Sequence, residues 1–149
     1  MKKADGKDVH EFFRSLCGAW QAVEMVEETI HQKGGLTGAQ VKNIAHLLSG
    51  GPMTVSDLAF DRGVSRQSVQ VAVLAMVKKQ YVILADNPRH KKAKLVVVTE
   101  LGREKYETAQ QAEYRIIEKE FPDLDRERVE DATKLLREVR MRLKDFGKG

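Results

Sequence analysis

The chain has 149 residues, 42% hydrophobic and 32% charged, with a formal net charge of +4. Such a composition can build a packed core and excludes a disordered tail. No apolar run approaches the ~18 residues of a membrane span, the longest being Val71 to Val77.

The charged start "MKKADGKDVH" has no apolar stretch behind it, so no signal peptide is expected. One cysteine, Cys17, cannot close an internal disulfide. Both features point to the cytoplasm.

Residues 8 to 33 carry Val9, Phe12, Phe13, Leu16, Ala19, Trp20, Val23, Val26 and Ile30 at three- and four-residue steps, which predicts a long amphipathic helix. Gly34 and Gly35 stop it. Thr37 with Gln40 forms a capping box that restarts helix, with Val41, Ile44, Ala45 and Leu48 as its buried stripe. "SGGP" ends that helix.

Thr54 caps a short helix over Val55 to Arg62, Gly63 supplies a positive-φ turn, and Ser65 caps a second helix reaching about Lys79. "YVILA" and "KLVVV" are β-rich runs. The "DNPRHKKA" between them has turn chemistry and a basic tip, which predicts a hairpin. Thr99 and Glu100 open a helix to about Glu120, and Pro122 breaks it. A last helix presents Val129, Ala132, Leu135, Leu136, Val139 and Leu143 on one face. The terminal helices carry apolar stripes longer than a small middle domain can cover, so a partner chain is expected.

Charge is unevenly placed. Between Arg62 and Lys94 there are eight Lys or Arg against one acid, Asp86. A solvated face mixes both signs; a one-sign block marks a polyanion site. Within it the residue types suit a helix-turn-helix. Ala59 lets two helices approach, Gly63 turns the chain, and Leu58, Val64 and Val69 fill the junction. The second helix then presents its N-terminus, where free N–H groups and the helix dipole favour phosphate. Arg66, Gln67 and Gln70 lie at that end. Arg pairs with guanine and Gln with adenine.

From about Leu36 to Lys105 the chain resembles the MarR family of winged-helix transcriptional regulators. "LTGAQ", "GPMTVSDLAFDRGVSRQSV" and "NPRHKKAKLVVVTELGRE" follow that family's pattern in order and spacing. The resemblance implies a mainly α fold (α+β winged helix): a winged helix-turn-helix over 36–98, with a helical dimerisation region from 8–33 plus 99–146. It implies a homodimer on a pseudo-palindromic operator of double-stranded DNA. It also implies release by a small effector, often an aromatic acid.

Carried over by position, Ser65, Arg66, Gln67, Ser68 and Gln70 form the major-groove set. Arg62, Lys78, Lys79, Arg89, His90, Lys91 and Lys92 serve the wing and the phosphates. Two departures stand out. The family wing usually reads Asp-Pro-x-Asp-x-Arg, whereas here it reads Asn87-Pro88-Arg89-His90-Lys91-Lys92. A more basic, looser wing is therefore expected. Val71, Leu74, Ala75 and Val77 also make the second helix apolar on nearly all sides, and Gln80 replaces a glycine usual just past it.

Cys17 lies about where the peroxide-sensing branch of the family keeps its reactive cysteine, but a free cysteine on an apolar helix is more often packing. His10, His31, His46 and His90 show no ligand spacing, so no metal and no cofactor is expected. Trp20, Met25 and His46 could line an effector cleft; at helical spacing Trp and Met are more often core. No phosphate-cradling loop, nucleophile elbow or dinucleotide fingerprint appears, so the chain is not expected to be an enzyme. The reading is a dimeric DNA-binding repressor. The alternatives are a winged-helix interaction protein with weak or non-specific DNA binding, and a Cys17-based peroxide-sensing repressor.

Overall fold

The computed structural model describes residues 2–146, apart from the side chains of residues 32–34. Six helices and one two-stranded sheet follow in the order α1 (Gly6–Gly34), α2 (Gly38–Gly50), α3 (Val55–Arg62), α4 (Arg66–Lys78), β1 (Val82–Ala85), β2 (Leu95–Val98), α5 (Glu100–Glu120) and α6 (Arg126–Phe146). The chain divides into two compact units, with the boundary between Glu113 and Tyr114.

Local chemistry sets most of the boundaries. Helix α1 begins two residues earlier than its apolar pattern implies. Asp5 caps it by accepting from the N–H groups of Lys7 and Asp8, and the Asp8 carboxylate accepts in turn from the Asp5 N–H. Gly35 ends it in the left-handed conformation. Thr37 and Gln40 form their reciprocal box, at 3.2 and 3.1 Å. The Thr54 and Ser65 hydroxyls accept from the N–H groups of Asp57 and Ser68, each at 3.1 Å.

The core of the first unit lies where α2, α3, α4 and the sheet meet. Leu36, Ile44, Leu47, Leu58, Ala59, Val69, Val73, Met76, Val82, Val96 and Ala109 form it. Two expectations need correction. On α2 the buried stripe runs through Ile44 and Leu47, while Val41, Ala45 and Leu48 are half-buried, because the core lies nearer the Leu47 side. At the helix–turn–helix junction Leu58, Ala59 and Val69 are buried as expected. Val64, however, is 38% exposed and contributes its backbone, its N–H bonding the Ala59 carbonyl at 3.1 Å.

The strands pair antiparallel in the register Val82–Val98 to Ala85–Leu95. Met53 extends the ladder, its carbonyl accepting from the Val96 N–H at 2.8 Å. This bridge ties the wing to the segment just before α3. On α1 the buried His31 brings Nε2 to 3.6 Å from the Glu113 carboxylate of α5.

Helix α4 ends in a Schellman motif. Gln80 N–H bonds Val77 O and Tyr81 N–H bonds Met76 O, both at 2.9 Å. The motif needs a left-handed residue, and Gln80 fills it at φ 61°. A side chain there is strained, so Gln80→Gly is expected to stabilise the fold by roughly 0.5–1 kcal/mol once glycine's greater unfolded-state freedom is subtracted. Urea unfolding with an unchanged m-value checks this; an unchanged or lowered midpoint refutes it.

In the second unit Asp125 precedes α6, and its carboxylate accepts from the Arg128 N–H at 2.9 Å. None of its residues is buried, and Val129, Leu135, Leu136 and Leu143 are exposed apolar side chains. Among the described residues no helix is long and apolar enough to cross a membrane.

Candidate nucleic-acid interface

Helix α4 buries Val69, Ala72, Val73 and Met76, so the opposite side of the helix faces out. Its first turn contains no acid, and the Ser65 cap leaves that N-terminus open to solvent. Two recesses flank it. On the wing side Arg66, Gln70, Leu84, Lys92 and Lys94 join Thr54 and Ser56, at the start of α3, around a cavity of about 200 Å³. On the α2 side Ser65, Gln67, Ser68 and Val71 face Thr37, Ala39 and Gln40 across a cavity of about 500 Å³.

The fold thus brings Arg66, Gln70 and Lys92 together from positions up to 26 residues apart. The α3 N-terminus and Lys94 were not singled out from the sequence. Lys94 was legible only as the last cation of the basic block. Thr54 and Ser56 carried no signal beyond capping.

The wing carries local hydrogen bonds that its sequence did not announce. The Asn87 side chain accepts from the Arg89 N–H at 3.0 Å, and its carbonyl accepts from the His90 N–H at 3.2 Å. His90 Nδ1 accepts from the Ala93 N–H at 3.3 Å. Lys94 pairs with Asp86 across the base of the loop, and its hydrogen bond and charge hold the Asp86 carboxyl below the usual carboxylate range. Asn87 and Asp86 thus hold the two ends of the loop in place of any contact from the absent aspartates. Arg89, Lys91 and Lys92 stay exposed at the tip.

Arg62 does not join this cationic surface, a second correction. It is half-buried, and its Nη1 donates to the Oδ1 of the buried Asn43. Burial lowers its pKa, although guanidinium stays charged at any ordinary pH. Around it lie Glu24, Glu27 and Glu28 of α1 together with Lys42, which pairs with Glu27 at 3.1 Å and Glu24 at 3.8 Å. Among the described residues, three carboxylates beside two cations make a poor phosphate site.

Lys79 also points elsewhere. Its ammonium is 3.4 Å from the Gly35 carbonyl and 5.8 Å from the Tyr81 ring centroid. Lys78 is exposed at the far end of α4. Cys17 is free and exposed on α1, so it does not pack in the core of its own chain. Trp20 and Met25 are 53% and 76% exposed rather than core, and Lys42 lies 5.2 Å over the Trp20 ring. His46 is half-buried, with Nδ1 2.9 Å from the Lys42 carbonyl. No group of three or more His, Cys, Asp or Glu is placed to hold a metal among the described residues.

The MarR family model matches residues 34–93. The whole chain is similar in fold to solved MarR structures. MarR from Staphylococcus aureus, solved in complex with salicylate and kanamycin, aligns at TM-score 0.78 and 14% identity, covering 94% of this chain and 95% of that one. AbsC, a MarR family transcriptional regulator from Streptomyces coelicolor, aligns at 0.73 and 19%, covering 97% and 99%. Apo MarR from E. coli aligns at 0.73 and 20%, covering 85% and 94%. No curated protein matches in sequence.

Proposed function

We propose that the protein is a DNA-binding transcriptional regulator of the MarR kind that represses as a homodimer, a reading supported by the MarR family model's match to residues 34–93 and by the likeness in fold to solved MarR structures. The observation that carries this reading is the convergence of Arg66, Gln70 and Lys92 at the open N-terminus of α4, beside a braced basic wing. Arg66, Gln67 and Gln70 reach base edges there. Arg89, His90, Lys91 and Lys92 meet backbone phosphates, and the N–H groups opening α4 add to that attraction.

In this reading 36–98 is the DNA-binding domain, and 8–33 with 99–146 is the dimerisation region. The exposed Val23, Met25 and Val26 of α1 and the uncovered face of α6 support it, since apolar surface of that extent is normally covered by a partner. Two copies then engage a pseudo-palindromic operator with half-sites one helical turn apart. Salicylate in the staphylococcal relative supports a small aromatic acid as the effector. Activity is placed in the cytoplasm, with no catalytic role.

Fluorescence anisotropy against DNA from just upstream of the gene and against scrambled DNA, across a salt series, tests the reading. The upstream duplex is expected to bind more tightly at moderate salt, and Arg66→Ala to lose about tenfold on it but little on scrambled DNA. Equal, salt-labile binding to both duplexes, unaffected by Arg66→Ala, would remove sequence reading and leave a winged-helix interaction protein.

A further inference from the structure

Gln67, Val71, Leu74 and Lys78 fall on one line of α4 at steps of four, three and four residues, opposite the buried Val69, Ala72, Val73 and Met76. Val71 is 63% exposed and Leu74 54%. These two are the middle of the outward face, Val71 at its edge toward the recess against α2. Both branched apolar side chains stay in contact with water in the single chain, so an occupant that covered them would gain hydrophobic burial.

The charges around them indicate which. Arg66 and the wing's Lys92 lie toward one end and Lys78 at the other, about 16 Å from Gln67 along the helix. Helix α4 itself contains no acid. An apolar strip framed by cations fits a surface whose edges are anionic and whose floor carries apolar groups. The major groove of DNA is such a surface. Phosphates line both edges, and the apolar feature of its floor is the thymine 5-methyl group.

We propose that Val71 and Leu74 are specificity residues that contact thymine methyl groups, so each operator half-site places thymines beneath them. The inference rests on the DNA-reading assignment above and deepens it. Gln67 and Gln70 contribute hydrogen bonds at the entrance of the helix, and Val71 and Leu74 contribute a methyl count further in. Arg66 and the wing fix the register.

The test uses the full chain. A half-site is first selected from a pool of random duplexes. Each of its thymines is then replaced by deoxyuridine, which keeps every hydrogen-bonding group and removes only the methyl. One or two replacements are expected to weaken binding about fourfold each, the effect of one buried methyl. Val71→Ala or Leu74→Ala should abolish that sensitivity at its own position while leaving the salt slope unchanged, because no phosphate contact is lost. Both side chains are exposed, so the variants should keep their circular dichroism and unfolding midpoint.

A selected half-site that tolerates deoxyuridine everywhere would overturn methyl reading while DNA reading stands. A pool in which no sequence is enriched would overturn both. Variants that lower the mass seen by sedimentation, with thymine sensitivity unchanged, would give this face to a second copy of the chain and overturn the proposal.

Discussion

Gly102→Ala is expected to destabilise the protein by about 3 kcal/mol, the upper part of the range for overpacking a buried position. Gly102 is buried in the first turn of α5. A Cβ there would lie 2.0 Å from the Tyr81 carbonyl oxygen and 2.9 Å from its carbon. These are backbone atoms, so no rotamer change relieves the overlap.

Nor is the Tyr81 carbonyl free to move. It accepts from the Thr99 N–H at 3.0 Å, and the Thr99 hydroxyl lies 3.1 Å from it and 2.6 Å from the Gln80 carbonyl. The same hydroxyl accepts from the Gly102 N–H at 3.0 Å. The new methyl would have to push apart a joint that holds the end of α4, the start of β1 and the cap of α5. The gain in helix propensity from Gly to Ala, ~1 kcal/mol, offsets only part of this.

Urea unfolding measures the loss, and thermal unfolding should show a fall of roughly 10 °C in Tm for a chain of this size. Gly18→Ala is the control, since a Cβ at Gly18 meets nothing within 4 Å and should be neutral or slightly stabilising. An equal response at the two sites would mean that the α5 joint is looser than its hydrogen bonds imply. Because β1 starts one residue after Tyr81, any folded Gly102→Ala protein should also misplace the wing and bind DNA more weakly.

Little of that joint was legible in the sequence. Thr99 announced itself as a cap by residue type. That its hydroxyl also clamps Gln80 and Tyr81, however, depends on a contact 18 to 19 residues away in the chain. Short-range rules served well where structure is made locally. Thr37, Thr54, Gly63 and Ser65 all act at their expected positions, because caps and turns need only neighbours within three or four residues.

Periodicity also located the helices, but it could not say which apolar residues their own chain covers. Trp20 of α1 and Val71 of α4 are apolar residues within helices that pack on the core, and both are exposed. The site divides along the same line. Helix order placed Arg66 and Gln70 at the N-terminus of α4, and the hairpin placed the basic tip. The bracing of that tip runs through Asp86, Asn87 and His90 in a pattern unlike the family's. Sequence comparison noticed the lost aspartates and had no means of seeing their replacements.

Arg62 shows how far a basic residue can depart from the role its neighbourhood suggests, and Arg62→Ala should separate the two readings. Asn43 is fully buried, and its Nδ2 has no hydrogen-bond partner among the described residues. Removing the guanidinium would leave Oδ1 unpaired as well, at a cost of about 1–3 kcal/mol. The favourable placement of a cation in the last turn of α3 would be lost too, worth ~0.3–1 kcal/mol. A loss of about 2 kcal/mol in urea is therefore expected. The salt dependence of DNA binding, measured where the variant is folded, should not change.

A phosphate anchor would behave in the opposite way. Stability would hardly move, because nothing buried would be orphaned, and the salt slope would fall by roughly 0.9 for the one contact removed. The combined change Asn43→Leu with Arg62→Met adds a further discrimination. Replacing both partners with apolar groups of similar size removes the unpaired oxygen and amide together, so most of the lost stability should return. If the double variant were as unstable as Arg62→Ala, the carboxylates of α1 around Arg62, rather than Asn43, would be what the guanidinium satisfies. Losing the arginine would then also leave Lys42, among the described residues lining that recess, to face Glu24 and Glu27 without it.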